Sequence, residues 1–421
     1  MNISIIGTGY VGLVTGACFA QLGHQVTCVD IDEQKVRQIS QGKSPIYEEG
    51  LEALLTEYKK NITATTDYEP AILNTEMTFI CVGTPSTRDG TNDLTYVKEV
   101  TTKIGMLLKK KNAYHVVVVK STVLPGTTQK IVLPVLEKHS GKTAGKDFGL
   151  AMNPEFLKEG VAIKDFLEPD RIVIGSYDEK TKTKMRQLFS SFTCPIVETT
   201  LSAAEMIKYA SNAFLATKIS FINEIGNLCK KHGIDTYDVA EGMGLDKRIG
   251  RPFLDSGIGW GGSCFPKDID ALIPWAHDQH EQICIIESTK KVNEDQPLRL
   301  IVLLKKHVPV IKGKNIGILG LAFKPDTDDI RESRAIPIVK DLLRHGARIK
   351  AYDPQAMENF KILFPSIEYC ASAQEVLSSD AILITTKWKE FNTLDYQGKI
   401  VIDGRRVEQA KTARIYEGVC W

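Results

Sequence analysis

A glycine-rich stretch of the chain ends in residue types that could carry out covalent chemistry. Residues 257–268 place four glycines within six positions and then supply Cys264, Lys267 and Asp268. Glycine adopts backbone angles that other residues avoid, so the run predicts a loop whose backbone comes close to another group. A nearby cation favours the thiolate, which is the nucleophilic form of cysteine. The stretch indicates a reactive thiol, with a surface turn before a buried structural cysteine as the alternative.

A phosphate-binding signature opens the chain. An apolar strand is predicted at 2–6, residues 7–12 read Gly-Thr-Gly-Tyr-Val-Gly, a helical stretch follows, and a second strand at 25–29 ends in Asp30. In this motif the glycines allow a tight turn, a close approach to pyrophosphate and close helix–strand packing. An acid about twenty residues later binds the ribose 2′-hydroxyl, so Asp30 predicts NAD rather than NADP. An ordinary strand–helix turn is the alternative.

Polar side chains follow three further predicted strands, at 77–82, 115–119 and 148–152. The residues concerned are Thr84, Thr122, Glu155 and Glu159. Ligands of open α/β sheets bind beyond the carboxyl ends of the strands, which makes all four candidate site residues. For each one separately, a capping or turn role is an equally good interpretation.

A long helix is predicted from Ser202 to about His232, and further helical segments follow to about Val308. Residues 202–205 read Ser-Ala-Ala-Glu, which has the form of a capping box. Lys208 and Asn212 lie four residues apart and therefore share one face of the helix. That face is either part of a site or simply solvated.

A second strand-and-glycine unit begins at residues 314–320 and predicts another α/β domain. Its later strands are predicted at 348–352, 381–385 and 400–402. Ala322 and Pro325 stand at the second and third glycine positions, so the dinucleotide fingerprint is eroded and a different ligand is expected. Phe323, Lys324 and Arg405 would suit a nucleotide base and its phosphates.

Composition bounds the class of protein. The 421 residues are 43% hydrophobic and 25% charged with a formal net charge of +1, which is typical of a globular protein and argues against bulk binding to nucleic acid. None of the nine cysteines forms a Cys-x-x-Cys pair, and no histidine has ligand spacing with them, so we expect a reducing compartment and no metal site. Neither a signal peptide nor a membrane span is predicted, and we expect a cytoplasmic protein.

Taken together, these motifs resemble the UDP-glucose 6-dehydrogenase family over essentially the whole chain. The matching segments are residues 7–12, 82–85, 121–127, 153–160, 261–268, 322–333 and 403–405. The Ser-Cys-Phe-Pro-Lys-Asp form of residues 263–268 is similar to the UDP-glucose branch, and the GDP-mannose 6-dehydrogenase branch is the alternative. A nucleotide-sugar sensor without turnover is a rival of another class. Residues 46–50 depart from the usual Phe-Tyr-Glu-Pro-Gly, and Trp260 stands where Tyr or Phe is common.

The resemblance implies an α/β protein with two Rossmann-like doubly wound domains joined by a long central helix and a helical segment. Residues 1–200 would form the NAD-binding domain, and residues 311–421 would form the UDP-sugar-binding domain. Residues 201–310 would form a central dimerisation segment that carries the cysteine loop. Arg248 would reach across the interface of a homodimer to the substrate of the partner subunit.

The resemblance also implies a reaction, the four-electron oxidation of the C6 alcohol of UDP-glucose to UDP-glucuronate with NAD. Cys264 would add to the C6 aldehyde as a thiohemiacetal, a second oxidation would give a thioester, and water would hydrolyse it. Lys208 would stabilise the oxyanion or transfer a proton, and Asn212 would hold the substrate. Asp268 would tune the thiol or act through water. Glu155 and Thr122 would position the hydrolytic water.

By the same resemblance, two groups of residues would line the ligand sites. The residues implied for NAD are Gly7, Gly9, Tyr10, Val11, Gly12, Asp30, Lys35, Thr84, Thr122, Glu159, Lys267 and Arg331. The residues implied for the sugar nucleotide are Glu155, Phe156, Leu157, Lys158, Glu159, Lys208, Asn212, Arg248, Phe253, Asp255, Ser256, Gly257, Gly259, Gly261, Phe323, Lys324 and Arg405.

Overall fold

Two largely parallel β-sheets, one in each half of the chain, organise the fold. The computed structural model describes residues 1–87 and 90–421. These residues divide into two compact units, Met1–Ala210 and Ser211–Trp421. The predicted fold class, two Rossmann-like α/β domains joined by a long helix, is confirmed. The finer division into three segments at residues 200 and 310 stays a prediction.

The residues that the structure describes form fourteen strands and sixteen α-helices. The strands are β1 Asn2–Ile6, β2 Gln25–Val29, β3 Ile62–Thr65, β4 Met77–Ile80, β5 His115–Val119, β6 Phe148–Met152, β7 Ile172–Ser176, β8 Ile196–Thr199, β9 Asn315–Leu319, β10 Arg348–Tyr352, β11 Glu368–Tyr369, β12 Ala381–Ile384, β13 Ile400–Asp403 and β14 Ile415–Gly418. The helices are α1 Tyr10–Gln21, α2 Glu33–Gln41, α3 Leu51–Glu57, α4 Tyr68–Leu73, α5 Thr95–Leu108, α6 Leu133–Ser140, α7 Ala162–Leu167, α8 Glu179–Leu188, α9 Leu201–Lys231, α10 Thr236–Gly244, α11 Phe265–Asp278, α12 Cys284–Asp295, α13 Arg299–His307, α14 Ala335–Arg344, α15 Met357–Leu363 and α16 Ala373–Val376.

The first sheet has the order β3-β2-β1-β4-β5-β6-β7-β8 and is parallel except for the antiparallel pair β6 and β7. Strands β4, β5 and β6 are buried along their whole length, because helices cover both faces of the sheet. Phe19 of α1 lies at the centre of an aromatic cluster, with its ring centroid 5.4 Å from that of Phe79 and 5.2 Å from that of Phe166. The apolar runs that predicted these strands are therefore the core of the first unit.

The second sheet has the order β11-β10-β9-β12-β13-β14 and is parallel throughout. Its strand order around β9 repeats the order around β1, which places the turn after β9 where a dinucleotide turn would lie. Strand β4 ends at Ile80, two residues earlier than predicted, because the chain then enters a segment with Gly83 and Pro85 that a central strand does not tolerate.

The long helix α9 begins one residue before its predicted start, and its cap differs from the prediction. The hydroxyl of Thr200 accepts the Ala203 N–H at 3.2 Å, so Thr200 rather than Ser202 has the capping role. The Glu205 carboxylate instead accepts the N–H groups of Gly126 and Thr128, at 2.5 and 2.7 Å. The expected capping box was wrong, because Glu205 is buried against the segment that leads into α6.

Among the described helices, none combines the length and the apolar character that a membrane span requires.

Candidate active site

The turn between β1 and α1 has the geometry that a dinucleotide pyrophosphate requires. Gly7 has a φ of +92°, in the left-handed region, and a Cβ on Gly12 would overlap the carbonyl oxygen of Gly7. A Cβ on Gly9, by contrast, would meet no atom within 4 Å. Gly7 thus permits the turn, and Gly12 permits the close contact between α1 and that turn. Gly9 leaves open space next to the N-terminus of α1, where Tyr10 and Val11 begin the helix. This open face fits the phosphates of NAD.

Asp30 closes this turn from the end of β2. Its Oδ2 accepts the N–H and the hydroxyl of Thr8 at 2.8 and 2.6 Å, and its Oδ1 accepts the N–H of Asp32 at 3.0 Å. Burial acts to raise the pKa of Asp30, but these hydrogen bonds and the charge of Lys35 lower the pKa overall. The carboxylate is therefore ionised at neutral pH and can accept a ribose hydroxyl, as its position in the motif predicts.

Glu48, a buried residue that no motif in the sequence indicated, lies beside Tyr10. Its carboxylate accepts the Tyr10 hydroxyl, and it also accepts the N–H groups of Gly160 and Ala162, at 2.7 and 2.6 Å. Burial, followed by the hydrogen bond to Glu48, raises the pKa of Tyr10 far above its usual value, so the phenol stays protonated. The sequence signal for Glu48 is its place in residues 46–50, which differ from the usual Phe-Tyr-Glu-Pro-Gly only at positions 46 and 49.

The loops that follow β4 and β5 are tied to each other. The Thr84 hydroxyl donates to the carbonyl of Thr122 at 2.8 Å, and the Ser121 hydroxyl donates to the carbonyl of Val82 at 2.6 Å. The structure thus brings together Thr84 and Thr122, two of the residues predicted for NAD, at the carboxyl edge of the first sheet.

Glu155 and Lys208 form a buried ion pair. Lys208 Nζ lies 2.8 Å from Glu155 Oε1, and the Leu157 N–H donates to the other carboxylate oxygen at 2.7 Å. Burial acts to raise the pKa of Glu155, but Lys208, this N–H and the charge of Lys120 lower the pKa overall. Lys208 Nζ also lies 5.6 Å from the ring centroid of Phe156. Four of the predicted site residues are therefore neighbours.

The rest of this segment is more open. Lys158 is exposed, and its Nζ lies 3.2 Å from Asp165 Oδ1. Glu159 is half-buried and directly precedes Gly160, which has a φ of +86°.

In the second unit, Cys264 is the residue that precedes α11, and its thiol is partly exposed. The positive end of a helix favours an anion at this position, and Pro266 in the first turn needs no N–H partner. Ser263 Oγ lies 3.6 Å from Cys264 Sγ. These features fit a nucleophilic thiol.

Asp268 lies one helical turn after Cys264 and is buried. Asn212 Nδ2 donates to its Oδ2 at 2.6 Å, and Lys267 Nζ donates to its Oδ1 at 2.7 Å. Three predicted residues therefore form one cluster, and two of them, Lys267 and Asp268, lie within four residues of Cys264 in the sequence. Lys267, which the resemblance assigned to NAD, pairs with Asp268 in the structure.

The glycines of the loop that precedes Cys264 allow close contact with protein atoms. A Cβ on Gly257 would lie 2.7 Å from the Gly404 carbonyl oxygen, and one on Gly261 would overlap the carbonyl oxygen of Glu332. Gly262, with a φ of +86°, would place a Cβ 2.6 Å from the ring of Phe323. The close approach that the sequence predicted is thus made to the chain itself.

Two side chains fix the middle of this loop. Asn293 accepts the Trp260 N–H at 2.7 Å and donates to the Trp260 carbonyl at 3.0 Å. The Trp260 indole is buried and donates to the Ser220 hydroxyl at 3.0 Å. Trp260 therefore belongs to the packed core of the helical region around Ala216 and Ile269.

Arg405 joins the same loop to the end of the second sheet. Its Nε donates to the Thr385 carbonyl at 2.9 Å, and its Nη1 donates to the Gly259 carbonyl at 3.2 Å. Burial lowers the pKa of Arg405 to about 10, which leaves it cationic at neutral pH. Lys324 Nζ lies 5.8 Å from the Phe323 ring centroid. Lys324, Arg405 and Phe323, the two cations and the aromatic ring predicted for the nucleotide, all belong to the second unit.

Asp353 shows why the second unit does not repeat the first site. Like Asp30, it follows the second strand of its sheet, and its Oδ2 accepts the N–H groups of Leu321 and Ala322, at 2.7 and 3.0 Å. Its carboxylate is fully buried and also accepts the Trp388 indole N–H at 3.0 Å. An acid so enclosed is not available to a ribose.

The remaining predicted residues of the second unit have local partners. Arg331 Nη2 lies 2.6 Å from Asp329 Oδ2, Arg248 Nη2 lies 2.6 Å from Asp246 Oδ2, and Arg251 Nη2 lies 2.6 Å from Asp255 Oδ1. Arg248 is exposed.

Two further predicted positions are defined by their backbone. Phe253 has a φ of +67°, and the carbonyl of Ser256 accepts the Tyr237 hydroxyl at 3.2 Å.

Among residues 1–87 and 90–421, no cluster of three or more His, Cys, Asp or Glu side chains could hold a metal ion.

Comparison with known proteins connects these features to one family. Three models of the UDP-glucose/GDP-mannose dehydrogenase family match in order: its NAD binding domain at residues 1–193, its central domain at 202–295 and its UDP binding domain at 317–410. UDP-glucose 6-dehydrogenase AglM of Haloferax volcanii is 46% identical over the full length of both chains. The chain belongs to the UDP-glucose/GDP-mannose dehydrogenase family. It is an NAD-dependent oxidoreductase.

Solved structures of this family share the fold. A UDP-glucose dehydrogenase from Pyrobaculum islandicum is 42% identical with a TM-score of 0.96, over 100% of this chain and 98% of that chain. A GDP-mannose dehydrogenase from Pseudomonas aeruginosa is 36% identical over the full length of both chains, with a TM-score of 0.59. The family has an NAD binding domain and a UDP binding domain, which accounts for the glycine motif after β1 and for its erosion in the turn after β9.

Proposed function

We propose that this chain oxidises the C6 alcohol of UDP-glucose to the carboxylate of UDP-glucuronate, through covalent intermediates on Cys264. The observation that carries the proposal is the partly exposed thiol at the N-terminus of α11, with Asp268 held by Asn212 and Lys267 one turn later. The full-length similarity to a protein named UDP-glucose 6-dehydrogenase supports the choice of substrate.

The chemistry requires a nucleophile because an aldehyde is a poor hydride donor until a group adds to it. NAD, when bound, accepts the hydride in each of the two oxidations. The Cys264 sulfur forms a bond to the C6 aldehyde carbon and gives a thiohemiacetal, and loss of the second hydride gives a thioester. Water then attacks C6, the C–S bond breaks, and the carboxylate leaves with the thiol regenerated.

Other side chains of the chain would assist these steps. Lys208, which is paired with Glu155, would stabilise negative charge on the C6 oxygen. Glu155 and Thr122 would orient the hydrolytic water, and Asp268 would hold or move a proton near the thiol through water. Asn212 would hold the sugar while its amide donates to Asp268.

The experiment that tests the proposal counts NADH per sugar. With limiting UDP-glucose and excess NAD, we expect two NADH for each sugar consumed and UDP-glucuronate as the only sugar product. One NADH with free aldehyde would contradict the role of Cys264 and leave the oxidoreductase assignment intact. No NADH with UDP-glucose, together with turnover of GDP-mannose, would assign the chain to the other branch of the family. NADH binding without turnover of any nucleotide sugar would indicate a sensor.

We also propose that the chain acts as a homodimer through α9. Phe214, Phe221 and Leu228 lie seven residues apart on this helix, so they share a face, and they are 65%, 46% and 54% exposed. A groove between α9 and α12 continues this apolar surface through Ile285 and Val292. A second copy of the chain would bury these side chains, and the exposed Arg248 would then be available to the partner subunit.

A further inference from the structure

A buried carboxylate outside the predicted catalytic set joins two segments that are far from it, and from each other, in the sequence. Glu48 is only 6% exposed. Its Oε2 accepts both the Tyr10 hydroxyl and the Gly160 N–H, and its Oε1 accepts the Ala162 N–H. The Tyr10 oxygen in turn accepts the Gly160 N–H at 3.0 Å. Both oxygens of Glu48 are therefore committed to donors from other segments.

The segments that Glu48 joins are the ones that carry ligand chemistry in the first unit. Tyr10 is the first residue of α1 and directly follows Gly9, whose open side fits pyrophosphate. Gly160 ends the segment 153–160, which contains Glu155 and Glu159. A shift of the Glu48 side chain would move the first turn of α1 and the end of this segment together.

Charge and hydrogen-bond capacity make glutamate necessary here. A carboxylate accepts at both oxygens, whereas a glutamine amide offers donors on one side. With glutamine at position 48, either the Ala162 N–H or the pair formed by Tyr10 and Gly160 would face an amino group. The adjacent Glu49 is exposed and offers a matched carboxylate for comparison.

We propose that Glu48 is a positioning residue, which holds the dinucleotide turn and the segment 153–160 in the arrangement that binds NAD. Its effect on Glu155 and Glu159 rests on the function proposed above, but its effect on NAD does not, because the cofactor follows from the family. NADH binding in the absence of any sugar nucleotide therefore tests the inference independently of the substrate.

The test measures the Kd of NADH by fluorescence titration for Glu48→Gln, Tyr10→Phe, the double variant and the control Glu49→Gln. Thermal melting without NADH shows that each variant is folded at the assay temperature. We expect the Kd to rise about tenfold for Glu48→Gln and about threefold for Tyr10→Phe, and to stay at the parent value for Glu49→Gln. The double variant should bind less weakly than the product of the two single increases, because both changes act on the same hydrogen-bonded pair.

Two results would overturn the inference. One is a Kd for Glu48→Gln within twofold of that for Glu49→Gln, even if the melting temperature falls, since Glu48 would then serve stability alone. The other is a double variant in which the two increases multiply, because Tyr10 and Glu48 would then act independently. If Glu48→Gln does not fold, Tyr10→Phe decides the matter, since it removes one donor and leaves the backbone contacts of Glu48 in place. An unchanged Kd in that variant would refute the proposal.

Discussion

At the scale of single residues, the chemistry depends on where charge is buried. Asp268 is enclosed but satisfied by Asn212 and Lys267, and Glu155 is enclosed but paired with Lys208. A buried charge persists only when such partners are present. Each cluster is thus fixed in place before a substrate arrives, which is the condition under which charged groups stabilise a transition state.

The clearest test at this scale is Cys264→Ser. A serine hydroxyl is a far weaker nucleophile than a thiolate at neutral pH, so we expect formation of UDP-glucuronate to fall below roughly one-thousandth of the parent rate. UDP-glucose affinity, measured by calorimetry, should change little because serine is close in size. Cys194→Ser, which replaces a partly exposed thiol in the first unit, is the matched control and should retain full activity. Two NADH per sugar at more than a tenth of the parent rate in Cys264→Ser would exclude the covalent route.

The Glu155–Lys208 pair makes a prediction about stability. Glu155→Gln removes the carboxylate that pairs with the buried Lys208, and we expect the variant to lower the free energy of unfolding by about 3–5 kcal/mol at pH 7. The double variant Glu155→Gln with Lys208→Met should recover most of this loss. Urea denaturation measures both. Glu33→Gln breaks an exposed pair with Arg37 and serves as the control, with little change expected.

The same pair sets the direction of the pH dependence. Because the pKa of Glu155 is lower in the folded protein than in the unfolded chain, its stabilising contribution is present above the unfolded pKa and is lost as the pH falls through the folded pKa. The difference between the parent and Glu155→Gln should therefore shrink in acid. A difference that stays constant from pH 7 into the acid range would show that the ion pair is not its source.

At the scale of elements, the glycine-rich loop is defined by what it packs against. Gly257 faces the backbone of Gly404, and Gly261 and Gly262 face Glu332 and Phe323 from the segment after β9. The Gly262 N–H also donates to the Arg331 carbonyl at 2.9 Å. The loop that presents Cys264 is therefore held by the second sheet and its turns.

Gly261→Ala tests this packing. Its Cβ would overlap the Glu332 carbonyl oxygen, so the loop must shift, at a cost of about 1–3 kcal/mol in the free energy of unfolding. We expect turnover to fall as well, since Cys264 lies three residues further on. Gly242→Ala, in α10 with open space around its Cβ, should instead be neutral or stabilise by about 0.5–1 kcal/mol. Equal behaviour of the two variants in thermal melting and turnover would contradict the account.

At the scale of the whole molecule, α9 connects two units that share a topology and differ in ligand. Asp30 is hydrogen-bonded to its turn but remains partly exposed, whereas Asp353 is completely enclosed by Leu321, Ala322 and Trp388. The same strand order thus carries an NAD domain in the first unit and a UDP domain in the second.

The exposed face of α9 gives the prediction that belongs to this scale. Light scattering should give about twice the monomer mass of 46.7 kDa for the parent protein. Phe221→Glu places a charge in the centre of the proposed interface and should shift the mass to that of a monomer. Ile362→Glu alters a side chain that is 80% exposed on α15 and should leave the mass unchanged. A dimer that persists in Phe221→Glu would place the contact elsewhere.

Most of the strands and the ligand-binding motifs could be predicted from the amino-acid sequence. Strands such as β1, β2, β5 and β6 were predicted residue by residue, because apolar, β-branched runs between polar ends depend on burial and local sterics that a short window contains. The glycine turn with Asp30 and the resemblance of the cysteine loop likewise depend on spacing along the chain, and the family assignment that they indicated is confirmed.

The hydrogen-bond partners of the buried polar groups, by contrast, follow from the packing of the folded chain. Glu48 meets Tyr10 across 38 positions and Gly160 across 112, and Glu205 meets Gly126 across 79. The enclosure of Asp353 likewise depends on Trp388, from a separate strand and loop. Such partners are set by how helices and sheets pack, and a buried carboxylate accepts whichever donors the packing brings to it. Local sequence patterns do not contain this information, because the donors come from distant parts of the chain. The partners of Glu48 and the capping role of Thr200 are therefore visible only in the folded structure.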